Sequence, residues 1–163
     1  MFLDTTAMRS QCPTRTVLAT SRERAKCTHF ISNGDIAMSM TGVDHVVIRV
    51  KDLDEGIKTY RDQLGLTLDR VGETASIGKQ AFFNLPDGGF IELVAPLAAD
   101  SAIGKAIERS GEGVHTIALA VDNLESTVAD MKAKGVGIIG GGNVMFVHPK
   151  SSHGVLLQLF QKG

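Results

Sequence analysis

Val43-Asp-His-Val-Val-Ile-Arg-Val50 and Val114-His-Thr-Ile-Ala-Leu-Ala-Val121 are the two stretches whose reading decides the fold. Both are of strand length and rich in β-branched residues. The segments downstream of them also agree. After the first, Asp52-Leu-Asp-Glu55 has the form of a capping box, with Asp52 as N-cap and Glu55 three residues on. Leu53, Ile57, Tyr60 and Leu64 then recur at helical spacing until Gly65 supplies the stop. After the second, Asn123 caps a helix with Leu124, Val128 and Met131 on one face, and Gly135 ends it. Three strands are predicted after each helix, over 66–71, 79–85 and 90–94 and over 136–139, 143–147 and 155–160. Pro86-Asp-Gly-Gly89 marks a turn in the first set. Between the halves, Ser101 opens a short helix carrying Ile103, Ala106 and Ile107, which Gly111 closes.

The halves superpose. Phe90-Ile-Glu-Leu93 matches Leu156-Leu-Gln-Leu159, and Pro86 matches Pro149. A repeat of about 70 residues is too long for a solenoid unit. It predicts two copies of one βαβββ module related by a pseudo-twofold axis. The fold class is α+β, each module offering an apolar sheet face for a helix to cover.

Composition sets the bounds. The chain has 163 residues, 43% hydrophobic, enough for one domain or two small modules sharing a core. Its formal net charge is −1, so nothing steers the whole protein toward nucleic acid or an acidic membrane. No apolar run is long enough to cross a bilayer as a helix. Cys12 and Cys27 are isolated and make no disulfide framework, which fits a reducing, cytoplasmic setting. With no Trp and one Tyr, the core must be aliphatic with a few Phe.

Residues 1–40 read differently from the domain at 41–163. Arg9, Arg15, Arg22, Arg24 and Lys26 outnumber Asp4, Glu23 and Asp35, and no hydrophobic period is sustained. The segment reads as a disordered extension. An artefact of start-site choice, with Met38 and Met40 just ahead of the first strand, is one alternative. An organelle transit peptide, interrupted by Glu23 and Asp35, is another.

Strand alternation locates the chemistry. Val46, Ile48 and Val50 are assigned to the helix side of the first strand, and His45, Val47 and Arg49 to the other. In the second copy, Ile117, Leu119 and Val121 take the helix side and Thr116, Ala118 and Ala120 the other. Glu92 and Gln158, each polar amid apolar neighbours, need partners if buried. His45, Glu92, Thr116 and Gln158 thus form one repeat-related constellation. His115, one residue from Thr116, belongs to the opposite face unless the strand is bulged. Gly140-Gly-Gly142 has no helix after it and is a tight loop, not a phosphate loop.

Val43-Asp-His-Val, Ile91-Glu-Leu-Val-Ala-Pro96, Gly111-Glu-Gly-Val-His115 and His148-Pro-Lys-Ser151 with Gly154-Val-Leu-Leu resemble the methylmalonyl-CoA epimerase and glyoxalase I group of the vicinal oxygen chelate superfamily. The resemblance spans 43–160. It implies a cup holding one divalent metal (Zn²⁺, Ni²⁺, Co²⁺ or Mn²⁺) and enolisation of an acyl thioester or a hemithioacetal, as an isomerase, epimerase or lyase. It matches His45, Glu92 and Gln158 to metal-ligand positions; the carboxylate base that the family implies is missing at Gln158, which cannot accept a proton, and Glu92 is the catalytic candidate that remains. Thr116 stands where the family has His, and Gln158 where it has Glu. A metal-free version using Glu92 as base, or a binding protein that sequesters a small molecule, is the alternative that those two departures raise. Arg49, Thr116, His148 and Lys150 are the expected substrate contacts. A homodimer with a small-molecule substrate, and no nucleic-acid or membrane partner, completes the expectation.

Overall fold

The computed structural model describes residues 40–161. The reading of the N-terminal segment as an extension, and both cysteines, lie outside the described residues, except that Met40 belongs to the first strand rather than to what precedes it.

The first module runs β1 (Met40–Arg49), α1 (Leu53–Ile57), β2 (Leu68–Thr74), β3 (Gly78–Asn84) and β4 (Phe90–Ala95). A linking helix α2 (Ala102–Ser110) comes next. The second module runs β5 (Gly113–Val121), α3 (Leu124–Ala133), β6 (Ile138–Gly141), β7 (Val144–Val147) and β8 (Leu157–Gln161). One eight-stranded sheet results, in the order β2-β3-β4-β1-β5-β8-β7-β6. The order is a palindrome of the two modules about the β1–β5 seam. β1 pairs in parallel with β4 and β5 with β8, while β1 and β5 are antiparallel.

The expected caps are present. Asp52 accepts from the Glu55 N–H at 3.0 Å, Ser101 from Gly104 at 3.1 Å and Asn123 from Ser126 at 2.8 Å. Gly65 and Gly135 end the module helices at φ 74° and 78°, a conformation that a Cβ disfavours. The helix expected to run through Leu64 is α-helical only to Ile57. Lys58–Gln63 widens into a π-turn, and the Leu64 N–H reaches back to Thr59 O. The Thr59 hydroxyl donates to Glu55 O at 3.1 Å, the back-bonding that loosens a helical ladder. Strand boundaries in the second module fall one to two residues later than periodicity suggests, as at Ile138 and Leu157.

Each module buries its own core. In the first, Leu53 and Ile57 of α1 lie over Val50, Ala81, Phe83 and Leu93. In the second, Val128 and Met131 of α3 lie over Val121, Val147 and Leu159. Full burial of such side chains stabilises by roughly 1.5–3 kcal/mol each. The opposite sheet face is covered at one end. Ile103 and Ile107 of α2 pack on Val47 and Val94, so α2 roofs the cup beside Glu92. Gly104 permits the tight entry into α2: a Cβ there would lie 2.4 Å from Ala99 O and 2.7 Å from Ala98 O, in the loop that leads from β4. Gly104→Ala should therefore cost about 1–3 kcal/mol in urea unfolding, because this loop and the first turn of α2 must move apart. An unchanged midpoint would show that the loop gives way freely.

Candidate functional site

The site is built by the register across the sheet. Phe82, Glu92, Val47 and Thr116 are successive partners on β3, β4, β1 and β5. Phe146, Gln158, Ala118 and His45 are successive partners on β7, β8, β5 and β1. These two rows are the pseudo-twofold images of each other. Glu92 and Thr116 flank Val47, and Gln158 and His45 flank Ala118. Each flanking pair sits two strands apart, about 10 Å between backbones.

The seam strands are irregular, and this changes which side chains face inward. Between Val47↔Thr116 and Ile48↔Val114 the register jumps, leaving His115 as an inserted residue. Between Val43↔Leu119 and His45↔Ala118 it jumps again, leaving Asp44 inserted. These two bulges occupy repeat-equivalent positions; a third shift, between Met40↔Val121 and Gly42↔Ala120, leaves Thr41 inserted at the start of β1. A bulge turns two consecutive side chains toward one side. His115 accordingly lines a cavity together with Thr116, the outcome that the reading of this strand reserved for a bulge. Asp44 reaches His45 by the same device: its Oδ2 lies 2.9 Å from His45 Nδ1.

The cavity holding the carboxylate has a volume of 200 Å³ and is lined by Glu92, Thr116, Gln158 and His115, with Ile103 and Phe146 as apolar walls. Glu92 is 8% exposed and Thr116 4%. Glu92 does not pair with Arg49. Its Oε1 accepts from Gln80 Nε2 at 2.5 Å, and Gln80 Oε1 in turn accepts from the Thr74 hydroxyl at 2.8 Å. The carboxylate is held by a neutral relay that leaves Oε2 for other use. Sequence reasoning missed Gln80, although it alternates with Phe82 on the inward face of β3.

His45 does not share that cavity. It lines a larger one of 800 Å³, with Asp44, Asn143, Phe160 and α3 residues Leu124 and Val128. Its ring stacks on Phe90 at 4.3 Å. Gln158 borders both spaces and forms the wall between them. The remaining expected contacts divide. Arg49 donates through Nε to Gly111 O at 2.7 Å and through Nη1 to Val114 O at 2.6 Å, clamping the start of β5. His148 caps the 3-10 turn Pro149–Ser151, its Nδ1 accepting from the Lys150 N–H at 3.1 Å. Pro149 turns the chain there, and neither His148 nor Lys150 lines the two cavities that hold the other candidates.

The donor chemistry does not fit a tightly held divalent metal. Of the four repeat-related residues, only His45 and Glu92 are strong ligands, and they sit in different rows with one atom of each already engaged. A Thr hydroxyl and a neutral amide are weak donors for such ions. Among the described residues, no three His, Cys, Asp or Glu side chains converge as a metal site.

Known proteins share this sequence pattern and fold. A family model described as a glyoxalase-like domain matches residues 43–158. The chain belongs to the glyoxalase-like family. Mouse mitochondrial methylmalonyl-CoA epimerase is 31% identical over 128 residues, covering 73% of this chain and 72% of its own. The crystal structure of methylmalonyl-CoA epimerase from Mycobacterium tuberculosis superposes with a TM-score of 0.69 at 30% identity, covering 80% of this chain and 94% of that one. A Streptomyces coelicolor methylmalonyl-CoA epimerase variant, solved with 2-nitronate-propionyl-CoA, gives 0.66 at 33% identity over 77% and 99%. None of the described helices is long and apolar enough to cross a membrane.

His115 is the titrating group that the glyoxalase-like cup perturbs most plainly. Burial first, then the charges of Arg49 and Arg109, lower its pKa from the ordinary 6.5. A depressed folded-state pKa means that the neutral imidazole suits the fold. The stability tied to it is complete above pH 6.5 and is lost as pH falls through that value toward the folded one. NMR titration should show His115 titrating below 6.5, with the midpoint rising in Arg109→Ala. A midpoint at or above 6.5 in the parent protein would contradict this placement.

Proposed function

We propose that the protein is an acyl-CoA epimerase-type enzyme that removes the α-proton of a small acyl thioester within the Glu92 cavity. One observation carries the reading. A buried carboxylate, held by the neutral Gln80 relay with no cation paired to it, faces a small cavity lined by hydrogen-bond donors. Support for the substrate class comes from the relatives, whose names give methylmalonyl-CoA as substrate.

The division of labour is set by the rows. Glu92 accepts the α-proton through Oε2. Negative charge then develops on the thioester oxygen, and a fixed donor there is worth more than water because it need not reorganise. The Thr116 hydroxyl and the Gln158 amide N–H groups take that role. His115, kept neutral by its surroundings, adds an uncharged N–H donor. Gln158 cannot take a proton, so Glu92 is the one base: it takes the α-proton, the planar enolate turns its other face to the Glu92 carboxyl, and the proton returned there gives the inverted centre. His45, oriented by Asp44 and stacked on Phe90, holds the acyl portion from the larger cavity. A cytoplasmic symmetric dimer is the setting we assign, with no role for membrane or nucleic acid.

The test is exchange of the α-proton of methylmalonyl-CoA in D₂O, tracked by NMR. Glu92→Gln should lower the exchange rate by about 10²- to 10⁴-fold while leaving thioester binding within a few-fold. Exchange retained in Glu92→Gln would remove this mechanism. The loss of two strong ligand types at Thr116 and Gln158 also favours a second reading, a protein that binds the thioester without turnover. Thioester binding that is unaffected by chelation, with no exchange in the parent protein, would select that reading.

A further inference from the structure

A third cavity, of 320 Å³, adjoins the Glu92 cavity and shares His115 and Leu156 with it. The proposed reaction makes no use of it. Arg49, Arg109, Ser110 and His115 line it, and no Asp or Glu does. Arg49 is pinned there by its bonds to Gly111 O and Val114 O, which occupy Nε and Nη1 and leave Nη2 over. Arg109, in the last turn of α2, has no hydrogen bond or ion pair among the described residues. The carboxylate of Glu112 accepts from the Lys51 N–H at 2.7 Å and, with Asp52 and Glu55, borders a separate recess that Arg49 also lines. No carboxylate lines the recess that Arg49 shares with Arg109, and the charges of both arginines are felt at His115. Like charges brought together in this way cost free energy unless an anion joins them.

Position decides the anion's chemistry. Along β1, Arg49 lies two residues beyond Val47, the partner of Glu92, a step of about 6–7 Å. A carboxylate bonded directly to the reacting α-carbon stays within about 3 Å of it and does not span that step plus the side chains. The recess also opens to solvent beside the exposed Val114 and Val155, so a long substrate can extend past it. We infer that this Arg49–Arg109 recess binds a phosphate group at the nucleotide end of the thioester substrate, with Arg109 as its mobile fork and Arg49 as its fixed one. Guanidinium matches phosphate oxygens in a bidentate fashion, and two such groups answer a dianion. The inference rests on the thioester reading above and adds where the coenzyme portion is gripped.

Calorimetric titration of the full chain with coenzyme A, and separately with pantetheine, tests it without turnover. Pantetheine keeps the thiol arm but lacks every phosphate. In Arg109→Ala the Kd for coenzyme A should rise roughly five- to tenfold, and its salt dependence should flatten. Pantetheine affinity should stay as in the parent, and Arg109→Lys should recover part of the loss. Equal weakening of both probes, no weakening of either, or a parent protein that does not prefer coenzyme A to pantetheine overturns the inference. The two readings fail separately. α-Proton exchange with Arg109-independent coenzyme A binding sinks only the recess. Arg109-dependent binding with no exchange sinks only the reaction.

Discussion

The antiparallel pairing of β1 with β5 is the constraint on which the rest depends. It joins the two modules and is the axis of their pseudo-symmetry. Its register aligns Glu92 with Thr116 and Gln158 with His45. A slip of one residue would turn each of these side chains to the helix face, and the hydrophobic cores under α1 and α3 would lose their alternation at the same time. Core burial and site assembly are therefore set by the same hydrogen-bond ladder.

Perfect regularity of that ladder would have produced a different cup. The inserted residues Asp44 and His115 add an inward side chain to each seam strand. Asp44 orients His45, and His115 becomes a shared wall between the carboxylate cavity and the arginine recess. The cost is a local loss of pairing, which bulges concentrate where a side chain must be re-aimed. Both modules bulge at the equivalent position. The irregularity is thus part of the repeated unit and not an accident of one copy.

Symmetry of backbone is paired with asymmetry of chemistry. Position by position, Glu92 answers Gln158 and His45 answers Thr116. One row presents a carboxylate and a hydroxyl, the other an amide and an imidazole. Only the first half has a proton acceptor buried under a helical roof, because α2 comes after β4 and nothing equivalent comes after β8 within the described residues. Glu92 is consequently more deeply buried than His45, whose cavity is four times larger. A single positioned carboxylate in a small, roofed space is the arrangement that proton transfer from carbon requires.

The sequence by itself determined the two modules, their helix caps and stops, the helix-facing cores and the four repeat-related polar positions. Each of these is a local pattern: a capping side chain three residues from its N–H, a glycine at positive φ, an alternation of period two. Only the tertiary structure decided that Glu92 bonds Gln80 rather than Arg49, that His115 faces inward, that His45 occupies a separate cavity, and that His148 turns back on its own loop. Those outcomes depend on registers between strands far apart in the chain, on two inserted residues, and on where α2 lands. No local period encodes them, because a bulge looks like any other strand residue until its partner strand is in place.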